Sequence, residues 1–442
     1  MKGRNTLTSS LNIITLGCSK NQVDSEKLLA QFEENGFVSS HNSAEYTDVV
    51  IINTCGFILD AKNESIETIL SYAQAKKQGF IRKLIVTGCL SQRYGESLRK
   101  EIPEVDAYFG VNQEKDIIKA LGGNYHAGII NQRVITTPSH YAFLKIAEGC
   151  NRSCSFCAIP AIRGKQVSLP VEDLLSESRF LISKGVKELI LIAQDLTSYG
   201  TDLYKKKYLG TLLKELNGLE GIEWIRLHYS YPLGFPVDEI VPLMKSSTKI
   251  CNYLDIPIQH ISDKILRNMN RGHGRKEIEE VIEGFRKNIP DVALRTTLIT
   301  GYPGESDKDF QELYDYVEAT RFDRLGVFTY SEEEDTPAAL NQKDDVPEEV
   351  KEERKNLIMS LQESISLEKN LEKVGREFKV LIDSIEGEFY VGRTEYDSPE
   401  IDNEVLIDRN SSQLKPGDFC RVKVYDAQEF DLYAEVIKNP VD

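Results

Sequence analysis

Cys150, Cys154 and Cys157 stand in the stretch Glu148-Gly149-Cys150-Asn151-Arg152-Ser153-Cys154-Ser155-Phe156-Cys157, a C-x3-C-x2-C spacing with no fourth cysteine nearby. The apolar run Tyr141 to Ala147 leads straight into this loop and reads as a strand. Three thiolates hold three corners of a 4Fe–4S cube and leave the fourth iron open to a small molecule, which separates a catalyst from an electron carrier.

The sequence after this loop alternates strand and helix. Strands are expected at Glu188 to Ala193, Ile222 to His228, Asn252 to Ile256, Ala293 to Ile299 and Leu325 to Thr329. Helical patterns at Val171 to Lys184, Pro236 to Lys245, Arg275 to Lys287 and Ser306 to Ala319 separate them. Six β/α units predict an open, partial version of the parallel barrel, with chemistry at the carboxyl ends of its strands. The cysteine loop follows the first of them.

An earlier block repeats the device. Buried parallel strands are predicted at Asn12 to Leu16, Asp48 to Asn53 and Lys83 to Thr87, with helices such as Ser25 to Asn35 and Ala61 to Lys77. A cysteine follows each strand, in Leu16-Gly17-Cys18, Asn53-Thr54-Cys55-Gly56 and Thr87-Gly88-Cys89. Residues just past neighbouring strands of an open α/β sheet converge, and the adjoining glycines let backbone approach something bulky. Cys18, Cys55 and Cys89 are therefore read as a second three-thiolate iron–sulfur site.

Pro347 to Val374 reads as a bracing helix with an apolar stripe of Val350, Leu357, Leu361, Ile365 and Leu371. Beyond it, Val380 to Ser384, Phe389 to Thr394, Glu404 to Ile407, Phe419 to Tyr425 and Leu432 to Val436 suggest a small all-β barrel, with Pro416-Gly417-Asp418 as a tight turn. The expected domains are 10–138, 139–372 and 373–442. The class is α/β: a parallel sheet, an open (β/α)6 partial barrel and a small OB-like β-barrel.

A length of 442 residues fits two to four domains. No apolar run of about 18 residues occurs, so no membrane span is expected. Met1-Lys2-Gly3-Arg4-Asn5 leads into a polar segment rather than the apolar core of a signal peptide. Eight cysteines without a secretion signal favour metal or redox chemistry in the cytoplasm. Net charge is −16, which argues against a large nucleic-acid footprint.

The C-x3-C-x2-C loop resembles that of the radical S-adenosylmethionine (SAM) superfamily, in which the open iron binds SAM and an electron cleaves it to a 5′-deoxyadenosyl radical. The resemblance implies that Phe156 packs near the adenine. It also implies that the turn Gly301-Tyr302-Pro303-Gly304-Glu305, with Gly301, Pro303 and Gly304 as its contacts, lies beside the adenosine. Gln194 and Asp195, ending the second barrel strand, are candidates for the SAM amino or ribose groups. The whole constellation resembles the methylthiotransferases, which replace C–H by C–S–CH3, and the last block resembles a TRAM domain. Implied cofactors are two 4Fe–4S clusters, at Cys150, Cys154 and Cys157 and at Cys18, Cys55 and Cys89, with SAM as methyl donor and radical source. A low-potential electron donor such as flavodoxin and a sulfide or persulfide source are implied too.

Lys145-Ile146-Ala147-Glu148-Gly149-Cys150, Ala158-Ile159-Pro160-Ala161-Ile162-Arg163-Gly164, His228-Tyr229-Ser230-Tyr231-Pro232 and Tyr253-Leu254-Asp255-Ile256-Pro257-Ile258-Gln259-His260 resemble the branch called RimO. That branch modifies the β-carbon of an aspartate in the twelfth protein of the small ribosomal subunit. From Gly375 onward there are 16 acidic and 8 basic residues. Such a module repels a tRNA backbone and attracts a basic ribosomal protein or subunit. A tRNA adenosine methylthiotransferase and a non-catalytic iron–sulfur or sulfur carrier are the alternatives. Two positions depart from the family pattern: Leu169, where arginine is frequent, and Asp335, where glycine is common. Cys251 and Cys420 read as packing residues, and His228 and His260 as structural hydrogen-bonders. Arg163 and Arg271 to Arg275 are loop elements near the site.

Overall fold

The computed structural model describes residues 9–411 and 413–437; the N-terminal segment Met1 to Asn5 and residues 438–442 of the third expected domain lie outside them. In the first block β1 (Ser10–Thr15), β2 (Val38–His41), β3 (Val49–Thr54), β4 (Lys83–Gly88) and β5 (Ala107–Tyr108) form a parallel sheet in the order β2-β1-β3-β4-β5. Helices α1 (Ser19–Glu34) and α4 (Glu114–Ala120) cover one face through Leu28, Phe32 and Ile117. Helices α2 (Leu59–Lys77) and α3 (Cys89–Glu101) cover the other through Ile69, Leu90 and Leu98. The central runs must therefore be apolar throughout, as Val49 to Ile52 are. The edge strands β2 and β5 lack such runs, and the sequence reading passed over both.

The second block holds β6 (Tyr141–Lys145), the β7 (Ala147–Glu148) and β8 (Val167–Ser168) ribbon, β9 (Glu188–Ile192), β10 (Trp224–Leu227), β11 (Ile250–Asp255), β12 (Ala293–Thr300) and β13 (Arg324–Thr329). Six of these strands pair in parallel, in the order β13-β12-β11-β10-β9-β6, so the partial barrel stays open between β6 and β13. Its helices are α5 (Ile159–Arg163), α6 (Val171–Ser183), α7 (Leu209–Asn217), α8 (Val237–Ser246), α9 (Asp263–Asn268), α10 (Arg275–Asn288), α11 (Asp307–Thr320), α12 (Pro337–Asn341) and α13 (Glu348–Leu371). The longer ones pack their leucines and isoleucines on the outer face. Helix α13 buries Lys351, Arg354, Ile358, Gln362, Ile365 and Ser366, while Leu357 and Leu371 are about half exposed. The buried face is thus rotated from the expected stripe, because ion pairs fill it: Arg354 meets Glu305 at 2.8 Å and Lys351 meets Asp344 at 2.6 Å.

The third block is a closed barrel of β14 (Glu377–Glu386), β15 (Phe389–Thr394), β16 (Glu404–Asp408), β17 (Phe419–Ala427) and β18 (Asp431–Val436), in the order β14-β15-β16-β18-β17. The connection between β15 and β16 enters the open barrel from the amino ends of its strands. Asp397 pairs with Arg324, Asp402 accepts from the Tyr253 hydroxyl at 2.8 Å, and the Glu395 carbonyl accepts from Arg226 at 2.7 Å. Ser398 Oγ lies 2.9 Å from His228 Nε2, so that histidine is a structural hydrogen-bonder, as expected. Burial opposes the charge of Asp397, but Arg324 outweighs it and holds the carboxyl below its ordinary range. Buried pairs of this kind contribute mainly by fixing geometry, since desolvation offsets much of their attraction. Among the described residues no helix is long and apolar enough to cross a membrane.

Candidate active site

Cys18, Cys55 and Cys89 stand past the carboxyl ends of β1, β3 and β4, which are direct neighbours with Thr15 opposite Asn53 and Thr54 opposite Gly88. Cys18 is the residue just before α1 and Cys89 opens α3, so parallel pairing alone brings the three thiols to one edge. Gly17 lies at φ +87°, and a Cβ there would stand 2.6 Å from Cys55 Cβ and 2.9 Å from its Sγ. Glycine is required for this close approach. Burial pushes the Cys89 thiol up to about 11 and raises Cys55 as well.

The second triad sits on the loop after β6. Arg152 donates its backbone N–H to Cys150 Sγ at 3.3 Å, and Arg271 donates to Cys154 Sγ at 3.3 Å. Both guanidinium groups stack on the Tyr231 ring, at 4.0 and 4.1 Å. Burial pushes Cys150 up to about 11 and Cys157 up to about 12. All eight cysteines are free thiols. Among the described residues no three His, Cys, Asp or Glu side chains converge on one metal ion. Thiols that hold the corners of a cube stand further apart than the ligands of a single ion, and each triad supplies three thiols with cationic or N–H donors nearby. The donor sets therefore fit iron–sulfur clusters.

Helix α5 joins the two triads. Its Ala158 and Ile162 pack on Cys89, and Arg163, at its end, reaches into the first block. Arg163 donates to Asn21 and to Glu148 at 2.8 and 2.9 Å, with Asp24 at 3.3 Å. Lys145 binds Asp24 and, at 2.7 Å, Glu148. Burial opposes the charge of Glu148, but Lys145 and Arg163 outweigh it and hold the carboxyl well below its ordinary range. Arg163, expected as a loop element, is thus a buried strut between the two sites.

A cavity of about 550 Å³ opens on the Cys150, Cys154 and Cys157 face, walled by Arg93, Tyr94, Glu334 and Thr336. A second, of about 210 Å³, lies between Phe57 and Ile58 after Cys55, Phe156, and the strand-end residues Gln259, Thr297, Ile299 and Tyr330. Glu333 borders it and anchors the first block through Lys62 at 2.9 Å and Arg93 at 3.0 Å. Phe156 therefore faces the ends of β12 and β13. Gln194 donates to Glu148 at 2.8 Å, and Asp195 accepts from Arg152 at 2.7 Å and Ser198 at 2.6 Å. Gln194 Oε1 and Asp195 Oδ1 are buried without a partner among the described residues. The turn after β12 has other engagements. A Cβ on Gly301 would stand 2.1 Å from Lys351 Cγ, Gly304 donates its N–H to Asp345 at 2.8 Å, and Gly301, Pro303 and Gly304 are not among the residues lining either cavity.

Arg271, read from the sequence as a loop element, proves to donate to the Cys154 thiol, while sequence reasoning assigned no site role to Tyr231, Gln259, Thr297 or Glu333. Gln259 carried no periodic signal, yet it lies at φ +70°, a conformation that costs a non-glycine residue energy and often marks a site. Asp335, noted for replacing a common glycine, also lies in the left-handed region, at φ +62°, which explains why glycine suits that position.

Comparison with known proteins agrees with this architecture. Residues 10–110 match the model described as Uncharacterized protein family UPF0004, residues 144–317 the Radical SAM superfamily and residues 374–437 the TRAM domain. The Ribosomal protein uS12 methylthiotransferase RimO of Cytophaga hutchinsonii is 52% identical over 439 residues, covering 99% of this chain and 100% of that protein. The RimO of Flavobacterium johnsoniae is 53% identical over 437 residues, covering 98% and 100%. Among solved structures, the radical SAM methyltransferase TsrM from Kitasatospora setae superposes with a TM-score of 0.54 at 12% identity, covering 75% of each chain. The cobalamin-dependent SAM radical enzyme OxsB gives 0.51 at 12% identity, covering 81% of this chain and 56% of that one. These two likenesses concern the fold alone. Identity above half across the whole length decides more: the chain belongs to the ribosomal protein uS12 methylthiotransferase (RimO) family of the radical SAM superfamily.

Proposed function

We propose that this protein replaces a hydrogen on the β-carbon of an aspartate in ribosomal protein uS12 by a methylthio group, in the cytoplasm, using two 4Fe–4S clusters and SAM. The observation that carries the reading is the pair of three-thiol sites at the strand ends of two α/β scaffolds, bridged by α5. When bound, a reduced cluster at Cys150, Cys154 and Cys157 with SAM supplies the radical that removes hydrogen from unactivated carbon, and a cluster at Cys18, Cys55 and Cys89 supplies the sulfur. The chain's part is placement. Arg152 and Arg271 offset thiolate charge, Tyr231 fixes both guanidinium planes, and Phe156 with Ile299 and Thr297 gives the adenosine an apolar wall. Gln194 and Asp195 hold the loop and keep one oxygen each for SAM; the turn at Gly301, Pro303 and Gly304 shapes that wall from behind. The domains act as 10–138, 139–372 and 373–442. Electrons come from a donor such as flavodoxin, and sulfur is replenished from sulfide or persulfide.

Several acids of the third block are engaged internally, as Asp383 is with His140 at 2.7 Å. Exposed Glu386, Glu388, Asp426 and Glu435 remain to attract a basic protein and repel tRNA. The test offers purified uS12 and tRNA separately to the reconstituted, reduced protein with SAM and sulfide. Mass spectrometry is expected to find one SCH3 in place of one H on uS12. The same gain on tRNA alone would overturn the substrate while keeping the chemistry.

Gly17→Ala is expected to lose one of the two cluster equivalents of iron and acid-labile sulfide, because the new methyl group collides with Cys55 and its backbone conformation is strained. Iron and sulfide analysis beside circular dichroism checks this; unchanged iron would show that the loop yields.

A further inference from the structure

Lys20 lies two residues beyond Cys18, in the first turn of α1, and is 8% exposed. Among the described residues it has no ion pair and no side-chain hydrogen bond; its ammonium sits 3.4 Å from the centre of the Tyr229 ring. Both features cost stability. A buried lysine without a counter-ion is desolvated, and a cation at a helix N-terminus opposes the helix dipole. No acid lies in that turn, no side chain caps the helix, and Ser19 Oγ is buried without a partner.

The surroundings are organised around this charge. Tyr229 lies at φ +61°, a strained conformation for a bulky residue, held by donating its N–H to Asp255 at 2.9 Å. Asp255 is close enough to feel the Lys20 charge, but it is occupied by that N–H and by Arg295 at 3.4 Å, and Asp24, one turn along α1, is held by Lys145 and Arg163. His228 bonds Ser398 on the far side. Val23, one turn along α1, packs with Phe143, Ile190 and Ile192, so this end of α1 closes the carboxyl end of the open barrel. Gly17 and Cys18 beside it are exposed and leave an approach.

We propose that Lys20, with the bare N-terminus of α1, forms a carboxylate subsite that holds the side chain of the aspartate to be modified. The inference rests on the function proposed above. The β-carbon of aspartate is bonded directly to its carboxyl carbon. Fixing the carboxylate at Lys20 therefore fixes the reacting carbon beside the Cys18 triad, and the Tyr229 ring keeps the ammonium in place without neutralising it. Asparagine, isosteric but uncharged, is disfavoured at such a site.

The test is a double-mutant cycle on binding, by calorimetry, with reconstituted protein in the absence of SAM and reductant. The wild type and Lys20→Met are each titrated with uS12 and with uS12 carrying Asn at the target aspartate. The wild type is expected to prefer aspartate about ten- to a hundred-fold, as for a charge-assisted hydrogen bond. Lys20→Met is expected to bind both forms alike, with unchanged iron content and an equal or higher unfolding temperature. Lys20→Arg is expected to recover part of the preference. Retained preference in Lys20→Met overturns the inference. So does equal binding of the two forms by a wild type that still methylthiolates uS12. A shifted reduction potential with unchanged preference also overturns it, placing Lys20 in the service of the cluster. A wild type that neither binds nor modifies uS12 removes the proposed function itself, and the inference with it.

Discussion

Cys154→Ala is expected to abolish 5′-deoxyadenosine formation by the reduced protein, whereas Cys89→Ala is expected to preserve it and abolish only the methylthio product. The expectation follows from the position of each thiol. Cys154 is buried beneath Arg271 and Tyr231 on the loop after β6 and lines the larger cavity, the face on which the proposed function places SAM. Cys89 is buried on the other side of α5, against Ala158 and Ile162. Removing a cluster ligand removes folding-coupled metal affinity at its own site, and the intervening helix keeps the other donor set intact. Chromatography of the SAM products and mass spectrometry of uS12 separate the two activities in one experiment. Loss of SAM cleavage in both variants would mean that the triads cannot be filled independently. Continued methylthiolation by Cys89→Ala would remove the sulfur-handling role from the first block.

The Cys18, Cys55 and Cys89 triad was legible because parallel strands convert a local rule, one cysteine past each strand end, into a three-dimensional cluster, whereas the Cys150, Cys154 and Cys157 triad was legible from the spacing of one loop. The registers of β1, β3 and β4 leave little freedom. The cradle around the thiols was not legible. Arg271 lies 117 positions from Cys154 and reaches it only because the loop after β11 folds over the barrel mouth. The short edge strands β2 and β5 escaped notice because edges need no continuous apolar run. The stripe of α13 was misplaced because its buried face holds Lys351 and Arg354, whose aliphatic stems pack while their charges find Asp344 and Glu305. The acidity of the third block was plain in composition, but its division between internal pairs and free surface depended on the Glu395 to Asp402 connection entering the barrel.

Arg163→Leu is expected to destabilise the junction of the first two blocks by about 3–5 kcal/mol, because it leaves Asp24 and Glu148 to share Lys145 as their one remaining cation among the described residues, in a buried setting. The first calorimetric transition should fall on the order of 10 °C. Arg163→Lys keeps the charge but cannot present a planar fork to Glu148 and Asn21 together, so it should recover only part of the loss. Adding Asp24→Asn to Arg163→Leu should restore stability beyond the sum of the single effects, since it removes the carboxylate that the leucine leaves unpaired. Function should divide in the same way. On the proposed function, SAM cleavage depends on the loop after β6 and should survive in protein that remains folded. On that reading methylthiolation requires the Cys18 triad to stay in register with that loop, and Arg163 is a buried cation spanning the gap from Glu148 to Asn21 beside Cys89. The ratio of methylthiolated uS12 to 5′-deoxyadenosine should therefore fall while 5′-deoxyadenosine itself persists. An unchanged ratio in Arg163→Leu, measured below its unfolding transition, would show that the two sites are aligned by the packing of α5 on Cys89 alone.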